Sequence, residues 1–227
     1  MSRNNAGLSR ERIVAEALRI IDGMGLRSLT MRRLGDALNV EAMAIYHHFP
    51  LGKEQLYSAI VEYISDPARA LASPAAETAP EDEATPETDP EPEPRPWDQR
   101  LRDWACDYRA ALLRHSGALP LMIHRRPDTV AALRATELHY AAFTEAGLPP
   151  EEVPGAAAAL TSYVLGAVIH QVRSEGLPSS DPAVLDGRFP TVMALSSIDV
   201  DHDRVFRTGL DALLAGLTAP RVQHGER

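Results

Sequence analysis

"LTMRRLGDALNVEAMAIYHHFPLGKEQLY", residues 29–57, places two short helical patterns on either side of a three-residue turn. Thr30 has the hydroxyl to cap the first helix, Leu34 and Leu38 face inward one turn apart, and Asn39 suits the left-handed residue that ends it. The second helix spans residues 42–48, until Pro50 and Gly52 break the pattern. Leu34, Leu38, Val40, Ile45 and Phe49 are apolar where the two helices must share a small core. A further helix begins near Lys53, with Leu56, Ile60 and Ile64 on one face. Upstream, residues 9–24 carry Ile13, Val14, Ala17, Leu18 and Ile21 as one apolar stripe, with Ser9 as N-cap and Gly25 as C-terminal stop. Helix, short turn, helix is the geometry in which a first helix braces and a second offers its N-terminal residues to base edges.

A formal charge of −9 over 227 residues argues against a nucleic-acid partner only on average. Residues 1–64 hold eight basic and seven acidic side chains, residues 65–96 hold two and nine, and the remainder 13 and 16. The acid is concentrated in one segment, so the overall balance says little about the N-terminal surface. Lys53 is the single lysine beside 22 arginines. One cysteine, Cys106, permits no internal disulfide and fits a reducing compartment. The polar N-terminus has no signal-like core, and no run approaches the roughly 20 apolar residues of a membrane span.

Residues 65–96, including "ASPAAETAPEDEATPETDPEPEPRP", read as a disordered acidic, Pro-rich linker with little to bury. Helical patterning resumes at Trp97 and ends near His115-Ser116-Gly117. A short piece follows at 118–124. The next helix is expected to open at Pro127 with Asp128 and run to Gly147, carrying Leu133, Leu138, Ala142 and Phe143. A long Ala- and Gly-rich helix ends at Gly176. A loop with one short helix precedes the last helix, capped by Asp201 or Asp203. The reading is all-α: residues 1–64 as a three-helix helix-turn-helix domain with a following helix, 65–96 as linker, and 97–220 as a second helical domain.

The quoted stretch, preceded by "IVAEALRIIDGMGLRS", resembles the N-terminal domain of the tetracycline-repressor family of transcriptional regulators over residues 8–64. "RPWDQRLRDWACDYRAALLRH", "ALTSYVLGAVIHQ" and "VFRTGLDALLAGL" are similar, more loosely, to its ligand-binding domains. The resemblance implies a ligand-responsive repressor, cytoplasmic and nucleoid-associated in the bacterial manner, bound to a palindromic double-stranded DNA operator. It implies no enzymatic activity and no cofactor.

Residue by residue, the resemblance matches Tyr46 to a tyrosine whose hydroxyl bonds a DNA phosphate. It matches Lys53 to the cation opening the fourth helix, where an ammonium and free N–H groups form an anion site. Thr30 matches a hydroxyl that caps and can donate to phosphate. Arg32 matches a groove-reaching position and Arg33 one on its flank. His47 projects from the recognition helix. Ala42, Met43 and Ala44 fall where the family reads bases, yet they cannot make bidentate hydrogen bonds and are left with thymine methyls and DNA shape. Arg3, Arg10 and Arg12 would extend the contacts along an N-terminal arm.

In the second domain, Trp104, Tyr108, Met122, His124, His139, Tyr140, Phe143, Tyr163 and His170 are aromatic or amphipathic and lie on helices able to surround a small-molecule effector. Ala159, Ser162 and Gly166, with Phe206, Leu210, Leu213 and Leu217, suggest two helices per chain meeting in a homodimer. Asp201-His202-Asp203 reads as a helix cap before a metal site, and no metal is expected. An all-α enzyme would need a nucleophile or acid–base pair that the pattern lacks. A protein-interaction module without DNA binding, and a regulator that activates, remain as alternatives.

Overall fold

Caps set the first helices. Ser9 accepts the Arg12 N–H and opens α1 (Arg10–Met24), which buries Ile13, Val14, Ala17, Leu18, Ile20 and Ile21. Gly25, at φ 79°, ends it by donating its N–H to the Ile21 carbonyl at 2.7 Å. The computed structural model describes residues 7–72, 95–125, 129–176 and 189–219, and among these no strand occurs. After a 3-10 turn, Thr30 accepts the Arg33 N–H at 3.1 Å and starts α2 (Met31–Leu38). Asn39 takes the left-handed conformation at φ 55°, as its amide side chain allows. α3 (Ala42–His48) and α4 (Lys53–Ser65) follow. Ile13, Ile21, Leu34, Ile45, Phe49, Leu56 and Ile60 are fully buried, so α4 completes the core that the first three helices begin.

The first residues of the segment expected as linker are helical instead. Asp66 accepts the Arg69 N–H, Pro67 occupies the first turn, and α5 (Pro67–Leu71) forms with Ala70 buried. Arg114 donates to the Ala70 and Leu71 carbonyls at 3.2 and 3.4 Å, tying α5 down. A local cap outweighs the acidic average here. The strongly acidic stretch at 73–94 lies outside the described residues.

α6 (Trp97–Arg114) is the axis of the second domain and packs on α5, α8 (Val130–Glu145) and α9 (Val153–Gly176). Between α6 and α8 runs α7 (Leu119–His124). α10 (Pro190–Leu195) precedes α11 (His202–Thr218), which lies on α9. Thr129 caps α8 by accepting the Ala132 N–H; the expected start at Pro127 and Asp128 lies outside the described residues. Leu133 is 65% exposed, contrary to its expected inward position. At about 3.6 residues per turn it sits ~120° around the helix from His139, on whose side Ala142 and Phe143 are buried.

By length and mean hydropathy (24 residues, 1.4), α9 reaches the range of a membrane-crossing helix. Val153, Ala156, Ala157, Leu160, Val164 and Val168 nevertheless bury one face of it inside the chain. The two domains meet where α1 touches the end of α6. His115 Nδ1 lies 2.7 Å from Asp22 Oδ2, and the Tyr63 ring meets the His115 ring edge-on at 6.2 Å.

Candidate nucleic-acid interface and second-domain pocket

The turn between α2 and α3 closes on Gly35: a Cβ there would stand 3.0 Å from the Val40 carbonyl oxygen and 3.3 Å from the Ala42 nitrogen. The Val40 N–H donates to the Gly35 carbonyl at 2.9 Å. This tight turn sets which face of α3 looks outward. Met43 (65% exposed), Tyr46 (39%) and His47 point to solvent, and Ala42 is half-buried. Ala44, expected to read bases, is instead buried at 6% beside Ile45. Positions 44 and 45 form the inner edge of a helix whose outer edge is 43, 46 and 47, so Ala44 serves the core.

Gly52 holds φ 67° and ψ −141°, a backbone conformation that side chains rarely permit, and a Cβ on it would lie 3.3 Å from Tyr46 Cε1. The Tyr46 ring therefore rests on the loop that delivers the next residue, Lys53, to the first position of α4. Lys53 Nζ stands 5.2 Å from the Tyr57 ring centre. Phenol, ammonium and the free N–H groups of a helix start thus gather on one side of the domain.

Thr30 and Arg32 are exposed on the neighbouring edge. The Thr30 hydroxyl oxygen caps α2, and its O–H remains a donor. Arg33 is exposed and its guanidinium donates to the Ser28 carbonyl at 3.0 Å, which holds it to the flank.

Two of the arm arginines have structural work. Arg10 donates to the His48 carbonyl at 2.8 Å and covers the Phe49 ring at 4.5 Å, bracing the end of α3 from α1. Arg12 donates to the Gly7 carbonyl at 3.1 Å. Arg3 lies outside the described residues.

In the second domain a cavity of about 420 Å³ opens between the α4–α5 junction, α6 and α8; Ser65, Asp66, Arg100, Trp104, Arg134 and Leu138 are among its lining residues. Trp104 is the member of the expected set that lines it. Tyr108 and His139 stand behind, with ring centres 5.0 and 4.1 Å from Trp104. Burial pushes the His139 imidazole down to about 4 and the Tyr108 phenol up to about 12. Trp104 Nε1, His139 Nε2, Ser65 Oγ and Arg100 Nε are buried without a hydrogen-bond partner among the described residues.

The other expected pocket residues are elsewhere. Phe143 is core, Met122 packs half-buried against the core, and His124 and Tyr140 are exposed. Tyr163 donates to the Phe206 carbonyl at 2.7 Å and stacks on its ring, joining α9 to α11. His170 is exposed, with its ring 6.4 Å from that of His202. Aromatic residues at helical spacing mark core and helix contacts as readily as pockets. Ser65, Arg100 and Arg134 meet at the cavity from three separate helices, and no local pattern announces them. A larger space of about 770 Å³ lies between the domains, bordered by Arg12, Glu16, Asp22, Tyr63, Arg114 and His115.

The expected dimer residues divide. Ser162 and Gly166 are exposed and Ala159 is half-buried, but Phe206 and Leu210 are buried within the chain, and Leu213 and Leu217 are half-buried. α11 turns its 206–210–214 stripe onto α9, and its exposed residues include Val205, Ala212 and Gly216 together with Arg204, Arg207, Thr208 and Asp211. Of the Asp201-His202-Asp203 group, Asp201 caps α11 through the Arg204 N–H, Asp203 pairs with Arg109 at 2.8 Å, and His202 meets Ser174 at 3.1 Å.

A helix-turn-helix head joined through α4 to a helical body with its own cavity defines a two-domain transcription regulator. The family model for bacterial regulatory proteins of the tetR family matches residues 13–60, and that for the tetracyclin repressor-like C-terminal domain matches 89–221. The chain belongs to the tetracycline-repressor family, whose members are DNA-binding regulators and not enzymes. It is 27% identical to the class D tetracycline repressor of Escherichia coli over 214 residues, covering 93% of this chain and 89% of that one. A possible TetR family regulator from Streptomyces coelicolor A3(2) superposes with a TM-score of 0.71 at 26% identity, over 94% of this chain and all of the other. ActR of Streptomyces coelicolor in complex with actinorhodin gives 0.67 at 25% identity, covering 94% and 98%. A single-residue variant of TetR from Acinetobacter baumannii AYE, in complex with minocycline, gives 0.63 at 25%, covering 92% and 96%.

Proposed function

We propose that the protein is a homodimeric repressor that grips a palindromic operator through residues 1–64 and leaves it when a small apolar or drug-like effector enters the domain at 97–220. The observation that carries this reading is the span of α4: it starts with Lys53 beside Tyr46 and ends with Ser65 in the cavity wall. Thirteen residues at about 1.5 Å each give one rigid rod some 20 Å long between the two sites. An effector that wedges the α4–α5 junction from α6 and α8 moves the phosphate-holding end with it. The effector must bind the DNA-incompetent arrangement better, since only differential affinity shifts the balance.

Actinorhodin and minocycline in the neighbouring structures support a drug-like occupant here, as does a cavity faced by Trp104 and Leu138. The exposed small residues Gly155, Ala158, Ser162 and Gly166 on α9, and Ala212 and Gly216 on α11, support close helix packing between two copies. The site of action is the chromosome, in the cytoplasm.

Fluorescence anisotropy with a duplex from the protein's own upstream DNA tests the reading. Affinity should fall steeply and linearly in log–log form with salt, and Lys53→Ala should flatten the slope by about 0.9 for each phosphate it no longer neutralises. A flat or absent signal refutes it. Small molecules that raise Tm should release the DNA in the same assay.

A further inference from the structure

Arg125 follows the last residue of α7, yet its side chain leaves the second domain and reaches the start of α4. One guanidinium nitrogen pairs with the Glu54 carboxylate, and the other lies 3.3 Å from the Ser58 hydroxyl and 3.4 Å from the Glu54 carbonyl. The guanidinium also stands 5.4 Å from the Tyr57 ring centre, the ring that Lys53 approaches at 5.2 Å. Two cations, one from each domain, thus share one aromatic ring.

Glu54 creates the problem that this arrangement solves. A carboxylate in the first turn favours the helix dipole and so helps α4 fold. Beside Lys53 it also puts a negative charge next to the position where a DNA phosphate would be held. We propose that Arg125 is a positioning residue for the Lys53 phosphate contact: it neutralises Glu54, draws it toward α7, and makes the reading head's affinity depend on where α7 stands. The planar guanidinium suits the task, binding carboxylate and stacking on an aromatic ring together. The same residue offers a regulatory route. Four positions on, Thr129 caps α8, whose Ala131 and Arg134 line the cavity. An occupant that shifts the start of α8 withdraws Arg125 and leaves Glu54 unpaired where phosphate must sit.

This inference rests on the DNA-binding reading, and the experiment separates the two. Binding of the full chain is measured to a duplex of its own upstream DNA and to a mixed-sequence duplex at low salt, for wild type, R125A, R125K, E54Q and E54Q/R125A. R125A should weaken binding about fivefold to tenfold on both duplexes, R125K should recover only part of that because it restores the charge without the planar fork, and E54Q/R125A should bind as E54Q does. Wild-type affinity in R125A overturns the proposal. So does a loss that E54Q leaves unrepaired, which marks Arg125 as a packing residue. A wild-type chain that ignores both duplexes instead removes the DNA reading, and the proposal with it.

Discussion

Gly52 separates the Tyr46 ring from the backbone that leads into Lys53. It accepts a φ of 67° and leaves room for the Tyr46 ring, which a side chain at this position would crowd. Tyr46→Phe removes one hydroxyl and keeps the packing; affinity should drop about fivefold on every duplex, the worth of about one net hydrogen bond. Anisotropy titrations on matched and mixed duplexes would show it, and a loss confined to one sequence would assign the hydroxyl to base reading. His139 gives the clearest acid response. Its folded value of about 4 lies below the ordinary 6.5, so between those values the unfolded chain binds the extra proton. Stability therefore falls as pH drops through this window, by up to about 3 kcal/mol from this group. Urea unfolding at several pH values should show the fall, and His139→Phe should lessen it; an equal slope in the variant would place the acid sensitivity in other groups.

At the scale of elements, the α2–α3 turn leaves little room for change. Gly35→Ala pushes a methyl to 3.0 Å from the Val40 carbonyl oxygen, against backbone that cannot swing aside. The variant should lose about 1–3 kcal/mol of stability and bind DNA more weakly, as overpacked sites do. Thermal melting monitored by circular dichroism would register this; an unchanged Tm would mean the turn opens without cost. The helices themselves are readable in sequence because caps and stops are local chemistry. Ser9, Thr30, Asn39 and Asp201 sit at helix boundaries where their side chains or φ preferences require. α5 escapes such a reading because its cap, Asp66, and its Pro67 are averaged into an acidic, Pro-rich composition.

For the whole molecule, the deciding question is what α9 and α11 turn outward. A Cβ at Gly166 would meet nothing within 4 Å in the single chain, so the protomer tolerates a larger side chain there. Gly166→Arg should fold with a near-normal Tm as a protomer, run as a monomer in light scattering, and lose operator binding together with the dimer. Retention of the dimer would move the interface elsewhere. The junction between the domains is tighter still: a Cβ on Gly117 would stand 2.8 Å from the Ile21 carbonyl oxygen. α1 and the turn after α6 are therefore packed backbone against backbone, with no room for a side chain between them.

By itself the sequence determined most of the helices, the caps at Ser9, Thr30 and Asp201, the helix-turn-helix and the family, because each depends on residues within a few turns of one another. It also named Tyr46, Thr30 and Met43, which are exposed, and Lys53, which is half-buried. Tertiary structure alone decided that Ala44 belongs to the core, that Tyr163 and His170 serve the α9–α11 contact, and that Phe206 and Leu210 are spent inside the protomer. It alone joined Arg125 to Glu54, 71 positions apart. An apolar or charged side chain looks the same in sequence whichever surface it meets; only the packing angle of one helix on another chooses that surface.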